Sequence, residues 1–153
     1  MARLHQINIS KGGVPKLPVG SAVVDESGVV DDEQADRVHH GHPEQALCLF
    51  SLEVIQRLQG EGHPIAPGYA GENLTISGLD WSDVVPGSRY RIGGSVEIEA
   101  TGYATPCSKN AGWFVDGDFG RMSQRRHPGE SRIYARVIEG GSIRAGDPVE
   151  ILT

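Results

Sequence analysis

The stretch RYRIGGSVEIEATGYATPCSKN, residues 89–110, sets the reading of the chain. RYRIG (89–93) and VEIEA (96–100) read as strands paired around Gly93-Gly94, a good two-residue hairpin turn. In the second run Val96, Ile98 and Ala100 share one face and Glu97 and Glu99 the other, the period of a strand with one covered face. The pattern then runs into Pro106-Cys107, followed by Ser108, Lys109 and Asn110. Proline fixes the local backbone and removes an amide donor. Cys107 therefore falls just past a strand end, where functional groups are often carried. On these grounds it is either a soft-metal ligand or sulfur acceptor, or an inert thiol.

Outward from this hairpin, short strands are expected at 4–9 and 19–24, around the Gly/Pro-rich KGGVPKLPVG. ALCLF (46–50) reads as a buried strand. Ser51 is placed to cap a helix over 52–59, with Phe50 and Ile55 at the staple positions and Gly60 and Gly62 as the stop. A connector holding Pro64 and Pro67 leads to a strand at 74–77. RIYARVIEGGSIRAGDPVEIL supplies two more strands around glycine turns. Residues 111–131 are the least regular part, a loop whose Trp113, Phe114 and Phe119 either cover an apolar pocket or pack beside the strands. With 21 glycines and 9 prolines between short strands, the expectation is one mainly β domain over 1–153, a closed or partly closed barrel with one or two helices.

Composition removes several function classes. A net charge of -6 argues against general nucleic-acid binding. No run is long and apolar enough to cross a bilayer, and MARLHQINIS lacks a secretion signal, so a cytoplasmic location is expected. Cys48 and Cys107 do not read as a disulfide framework, and Cys48 inside ALCLF reads as a core thiol. Asp31-Asp32 reads as a solvated acidic pair. Arg121, Arg125, Arg126, Arg132 and Arg136 form either a solvated surface or an anion-binding patch. His39, His40 and His42 lie in a tight turn without an evident further zinc-ligand set. Glu72 and Asn73 either organise a sharp turn through backbone hydrogen bonds or touch a ligand. No P-loop or GxGxxG pattern is present.

Taken together, KGGVPKLPV, ADRVHHGHPEQALCLFSLEVI, PGYAGENLTISGLDWSDVVPGSRYRIG, VEIEATGYATPCSKN and YARVIEGGSIRAGDPVEI resemble the MOSC domain, named for the C-terminal domain of molybdenum cofactor sulfurases. The resemblance implies a β-barrel with a few short flanking helices and a molybdenum-pterin cofactor. It makes Cys107 the counterpart of the cysteine that ligates molybdenum in reductases or carries sulfur in sulfurases. Lys16 matches the lysine of the KxPV segment, His40 the histidine of the HGG-type segment, and Glu72 and Asn73 the GEN segment. These are expected at the cofactor pocket or in its walls. Arg132, with Arg125 and Arg126, is added on charge alone as a partner for the cofactor phosphate. The chain departs from the family pattern at Asp31, where glycine is frequent, and at His42, where a second glycine is common.

The expected function is binding of the molybdenum cofactor, with reduction of N-hydroxylated compounds and a separate electron-transfer protein as donor. One alternative is sulfur transfer through a Cys107 persulfide loaded by a cysteine desulfurase. Another is a noncatalytic binding or delivery module.

Overall fold

The computed structural model describes residues 1–10, 12–32 and 43–153. Its strands are β1 (Arg3–Ile9), β2 (Leu17–Val19), β3 (Ser21–Asp25), β4 (Gly28–Val29), β5 (Leu47–Ser51), β6 (Leu74–Ser77), β7 (Arg89–Ile92), β8 (Val96–Tyr103), β9 (Ile133–Glu139), β10 (Gly141–Arg144) and β11 (Val149–Leu152). The helix α1 spans Leu52–Gly60. The mainly β expectation holds. An 8-stranded sheet runs β11-β7-β8-β9-β5-β6-β1-β2, and a 3-stranded sheet runs β10-β3-β4.

The barrel expectation needs correction at its seam. β1 and the start of β11 meet through one isolated bridge, Arg3 opposite Pro148, with Leu4 N donating to Asp147 O (2.8 Å) and Val149 N to Ala2 O (3.0 Å). These bonds flank the Arg3–Pro148 pair, the Pro148 carbonyl faces β7 and accepts from Gly93 N (2.9 Å), and no ladder longer than this joins β1 to β11. The sheet curls toward closure without completing a barrel.

Local chemistry explains most elements. Ser51 caps α1, its hydroxyl accepting from Val54 N at 3.1 Å. Val54, Ile55 and Leu58 form the buried side of that helix. Val96, Ile98 and Ala100 are buried while Glu97 and Glu99 are not, as alternation requires. The hairpin loop holds three residues rather than two, because Ile92 pairs with Val96 and Gly93-Gly94-Ser95 turns the chain. The C-terminal segment forms three strands, not two, since Gly140 and a turn at 145–147 each break the ladder. The run predicted at 19–24 likewise splits at Gly20 between β2 and β3. Residues 108–122 form successive 3-10 turns that bury Phe114, Arg121 and Met122. The expected loop is thus a packed cover over one end of the core.

Gly28 joins the small sheet to the large one. Its φ is +113°, and a Cβ there would lie 2.1 Å from the Ala46 carbonyl oxygen. Gly28→Ala is expected to destabilise the protein by more than about 1 kcal/mol, because both the backbone and the contact are incompatible with a side chain. Urea unfolding checks this: the midpoint should fall with the slope unchanged.

Candidate functional site

The site grows from one face of the sheet where β5, β9 and β8 lie side by side. Cys48 of β5 pairs with Tyr134 of β9, and Tyr134 pairs with Gly102 of β8. Directly opposed residues in antiparallel strands share a face. Leu47, Leu49, Ile133 and Ala135 take the other face and are fully buried in the core. Cys48 and Tyr134 therefore point away from the main core, into the layer where the loops gather. Cys48 is itself covered, with 8% of its surface exposed. Burial pushes its thiol pKa up, while the neighbouring Arg132 guanidinium pulls the other way.

Asn73 fixes Cys48 from the side. Its backbone N–H donates to Cys48 O (2.8 Å), and its side-chain Oδ1 accepts from Cys48 N (3.0 Å). Its Nδ2 donates to Asp32 Oδ2 at 2.8 Å. That carboxylate oxygen also receives Lys16 Nζ at 2.5 Å, and Asp32 Oδ1 accepts from Ser10 N at 2.9 Å. The side chains of Lys16 and Asp32 are 9% and 3% exposed, so this is a buried ion pair. The expectation of a solvated Asp32 fails. Tertiary contacts bring it an ammonium, an amide and a backbone donor, enough to hold a carboxylate out of water.

Glu72 is fully buried. Its Oε2 accepts from Gly68 N (3.0 Å) and Thr75 Oγ1 (2.9 Å), while Oε1 has no partner among the described residues. Burial raises its pKa, partly countered by these donors. Of the two readings open for Glu72 and Asn73, turn-building is what these bonds express. Asn73 in addition carries the turn to Cys48 and Asp32.

Arg132 is only 6% exposed and does not sit at a pocket entrance. Its two terminal nitrogens donate to Ala70 O (3.0 Å) and Thr105 O (3.1 Å). The guanidinium thus ties the Glu72 loop to the segment two residues before Cys107. Asn110 donates to the same Ala70 oxygen at 3.3 Å, and its backbone N–H donates to Cys107 O at 2.9 Å. Cys107 caps the 3-10 turn Ser108–Trp113 without a side-chain bond, and it is exposed. Tyr134 lies within electrostatic reach of Cys48, Arg132 and Cys107, and burial first, then the Cys48 charge, pushes its phenol up to about 12. The two cysteines, far apart in sequence, thus belong to one neighbourhood around Tyr134.

Lys16, Glu72, Asn73, Arg132 and Cys107 all come to this region. His40 lies outside the described residues, as do His39 and His42. The arginine patch resolves mostly into ion pairs. Arg121 bonds Glu61 and Glu130 (2.8 Å each), Arg126 bonds Asp118 (2.7 Å), and Arg136 bonds Glu99 (2.8 Å). Arg125 is exposed. A cleft of about 300 Å³ beside Arg57, Trp81 and Glu130 contains none of the predicted site residues.

Sequence reading missed Asp32, Cys48 and Tyr134 as members of the site. For Cys48 and Tyr134 a signal existed. Each alternates with core residues, Leu47 and Leu49 or Ile133 and Ala135, and so had to face the other way. Asp32 offered none, because its partners come from residues 10, 16 and 73.

The profile of the MOSC domain matches residues 36–150. The chain belongs to the MOSC domain family. It is 31% identical over 143 residues to the uncharacterized protein YflK of Bacillus subtilis, and 30% identical over 146 residues to protein YiiM of Escherichia coli. Each match takes in 92% of this chain but 63% of the relative, so this MOSC chain spans under two thirds of those proteins. The crystal structure of YiiM from Geobacillus stearothermophilus superposes with a TM-score of 0.74 at 24% identity, covering 100% of this chain and 76% of that one. The YUAD protein of Bacillus subtilis does so at 0.78 and 18% identity, covering 98% and 94%. These two likenesses show the shared MOSC fold. No helix among the described residues is long and apolar enough to cross a membrane.

The raised Glu72 pKa has a signed consequence. The folded protein keeps this proton at pH values where the unfolded chain has lost it. The stability it contributes is complete below the ordinary glutamate range and is lost as pH rises through the folded value. Glu72→Gln keeps the group neutral throughout. Its urea midpoint, compared with wild type, is expected to improve as pH rises from the ordinary glutamate range through the raised folded value. A difference that stays constant with pH would refute the assignment.

Proposed function

We propose that this MOSC protein binds a molybdenum-pterin cofactor through Cys107 and uses it to reduce N-hydroxylated compounds. The supporting observation is the placement of Cys107: an exposed free thiol at the start of a 3-10 turn, braced on both sides by the Arg132 and Asn110 bonds to Ala70. A thiolate suits a soft metal centre. Among the described residues no group of three or more His, Cys, Asp or Glu side chains converges to hold a metal. A cofactor that brings its own dithiolene sulfurs needs only one protein ligand, and Cys107 fits that requirement. When bound, the cofactor would supply two-electron chemistry, and the protein would supply binding, orientation and electrostatics.

The phosphate end fits less directly. Lys16 is already paired with Asp32, and Arg132 is committed to two carbonyls. Their positive charge favours an anion nearby without leaving either group free to grip one. Lys109, exposed two residues after Cys107, is the better placed cation. The electron donor on this reading is a separate redox protein.

A second reading has its own support. An exposed, disulfide-free thiol is also what a persulfide carrier needs. A cysteine desulfurase would then load Cys107.

Cofactor content decides between them. Purified from a cofactor-producing host, the wild type is expected to carry molybdenum and pterin near one equivalent. Cys107→Ser, with an unchanged circular dichroism spectrum and melting temperature, is expected to lose the metal. Retention of full molybdenum in the serine variant would remove Cys107 as ligand. A one-sulfur mass increase on Cys107 after desulfurase and cysteine, in protein lacking molybdenum, would favour the carrier reading.

A further inference from the structure

His63 joins the end of α1 to the tip of the 3-10 cover. On the helix side its backbone is fixed, with His63 N donating to Leu58 O (3.1 Å) and Gly62 N to Gln59 O (3.0 Å). The imidazole reaches across to the cover. Its Nδ1 accepts from Val115 N at 3.0 Å, and the ring packs on Phe114 with centroids 5.1 Å apart and planes tilted by 57°. The His63 side chain is 10% exposed, and Phe114 is buried. The tip it holds is a costly piece of backbone. Asp116 sits at φ +57° and Gly117 at +68°, so a non-glycine residue is kept in the left-handed region directly after Val115. Such a conformation persists where surrounding contacts over-determine it.

The bond to Val115 fixes the charge state of the ring. A neutral imidazole has one acceptor nitrogen and one donor. Nδ1 accepts the Val115 amide, so the single proton stands on Nε2, which faces Glu61 Oε1 at 3.6 Å. A second proton can go only to Nδ1. There it would meet the Val115 N–H, donor against donor, and the bond would turn into a repulsion. The carboxylates around the ring do little to offset this loss. Glu61, just past α1, already takes Arg121 on both oxygens (2.8 Å each), and Asp118, in the cover, takes Arg126 on both (2.7 and 3.1 Å). Glu130, after the cover, is shared by Arg57 and Arg121. His127, on that same segment, is a second imidazole beside Glu61 and Asp118. Of the acids around the tip only Asp116, which is exposed, lacks a guanidinium partner among the described residues.

We propose that His63 is a pH-operated latch on the cover: neutral, it holds the tip at Val115, and protonated, it lets go. The sign follows from proton linkage. The closed tip excludes a proton on Nδ1 and the open tip admits one. The open fraction therefore rises as pH falls through the range in which imidazoles take up charge, from about pH 8 to about pH 5. Release uncovers Phe114 and loosens the run of 3-10 turns that starts at Ser108, the residue after Cys107. The latch stands on the contacts of His63 and holds whatever chemistry Cys107 performs.

Hydrogen–deuterium exchange of peptides spanning 113–118, corrected for the intrinsic effect of pH, is compared at about pH 7.5 and about pH 5.5. Protection in the wild type is expected to fall about three- to tenfold at the lower pH, the weight of one lost hydrogen bond, while peptides from β5 and β9 keep theirs. In His63→Asn the side-chain oxygen takes the place of Nδ1 as acceptor and cannot titrate, so protection should be the same at both pH values. His127→Gln should keep the wild-type fall. Nitrogen NMR of the wild-type imidazoles adds a readout that needs no variant. His63 should carry its proton on Nε2 at about pH 7.5, and its titration midpoint should coincide with that of the lost protection. Unchanged protection in the wild type would overturn the latch, and so would an equal fall in His63→Asn or the removal of the fall in His127→Gln. A proton on Nδ1 at the higher pH, or midpoints that disagree, would do the same. Equal loss in β5 and β9 would also sink it, since that is general acid unfolding.

Discussion

A guanidinium held almost out of water governs this site. Burying a guanidinium is costly unless hydrogen bonds compensate it, and here Nε has no partner among the described residues, so the compensation falls to the terminal nitrogens. Two of its nitrogens find the carbonyls of Ala70 and Thr105, and its charge reaches Cys48. Those two carbonyls belong to different loops, one ending in Glu72-Asn73 and the other leading to Cys107. The need to satisfy one cation therefore locks the two loops together. Removing the guanidinium would unlink the two loops, although the Ala70 carbonyl would keep the Asn110 side chain as a donor and the Thr105 carbonyl, on an exposed residue, would turn to water.

The second constraint is the buried carboxylate of Asp32. Three donors from distant parts of the chain meet on it, and one of them, Asn73, also clamps the backbone of Cys48. A charged network of this kind adds little net stability over apolar packing, but it penalises any arrangement that leaves one member unpaired. Its effect is to fix where the β1–β2 loop, the end of β4 and the start of β6 stand relative to the Cys48–Tyr134 row. With Arg132 on the other flank, the site face is held from two sides by polar groups rather than by hydrophobic packing alone. Bonds with fixed direction hold the groups of this face more narrowly than apolar contact does.

Alternation and turn chemistry made the mainly β architecture, the Ser51-capped helix, the β7–β8 hairpin and the position of Cys107 past a strand end readable from the residues alone, because each depends on neighbours within a few positions. The family motifs likewise marked Lys16, Glu72, Asn73 and Cys107. Three things needed the folded chain. The sheet stays open between β1 and β11, which a single bridge joins at Arg3 and Pro148, and only strand order reveals where that seam is. Asp32 is buried because its partners lie at residues 10, 16 and 73, so its local acidic context misleads. Cys48, Tyr134 and Gly102 become one row only through the register of β5, β9 and β8. The sequence by itself determined the elements and the place of Cys107 past a strand end, whose signals are short-range. Tertiary structure decided which charges are paired and what surrounds that thiol, because ion pairing and cross-strand register are set by contacts between residues that the chain keeps far apart.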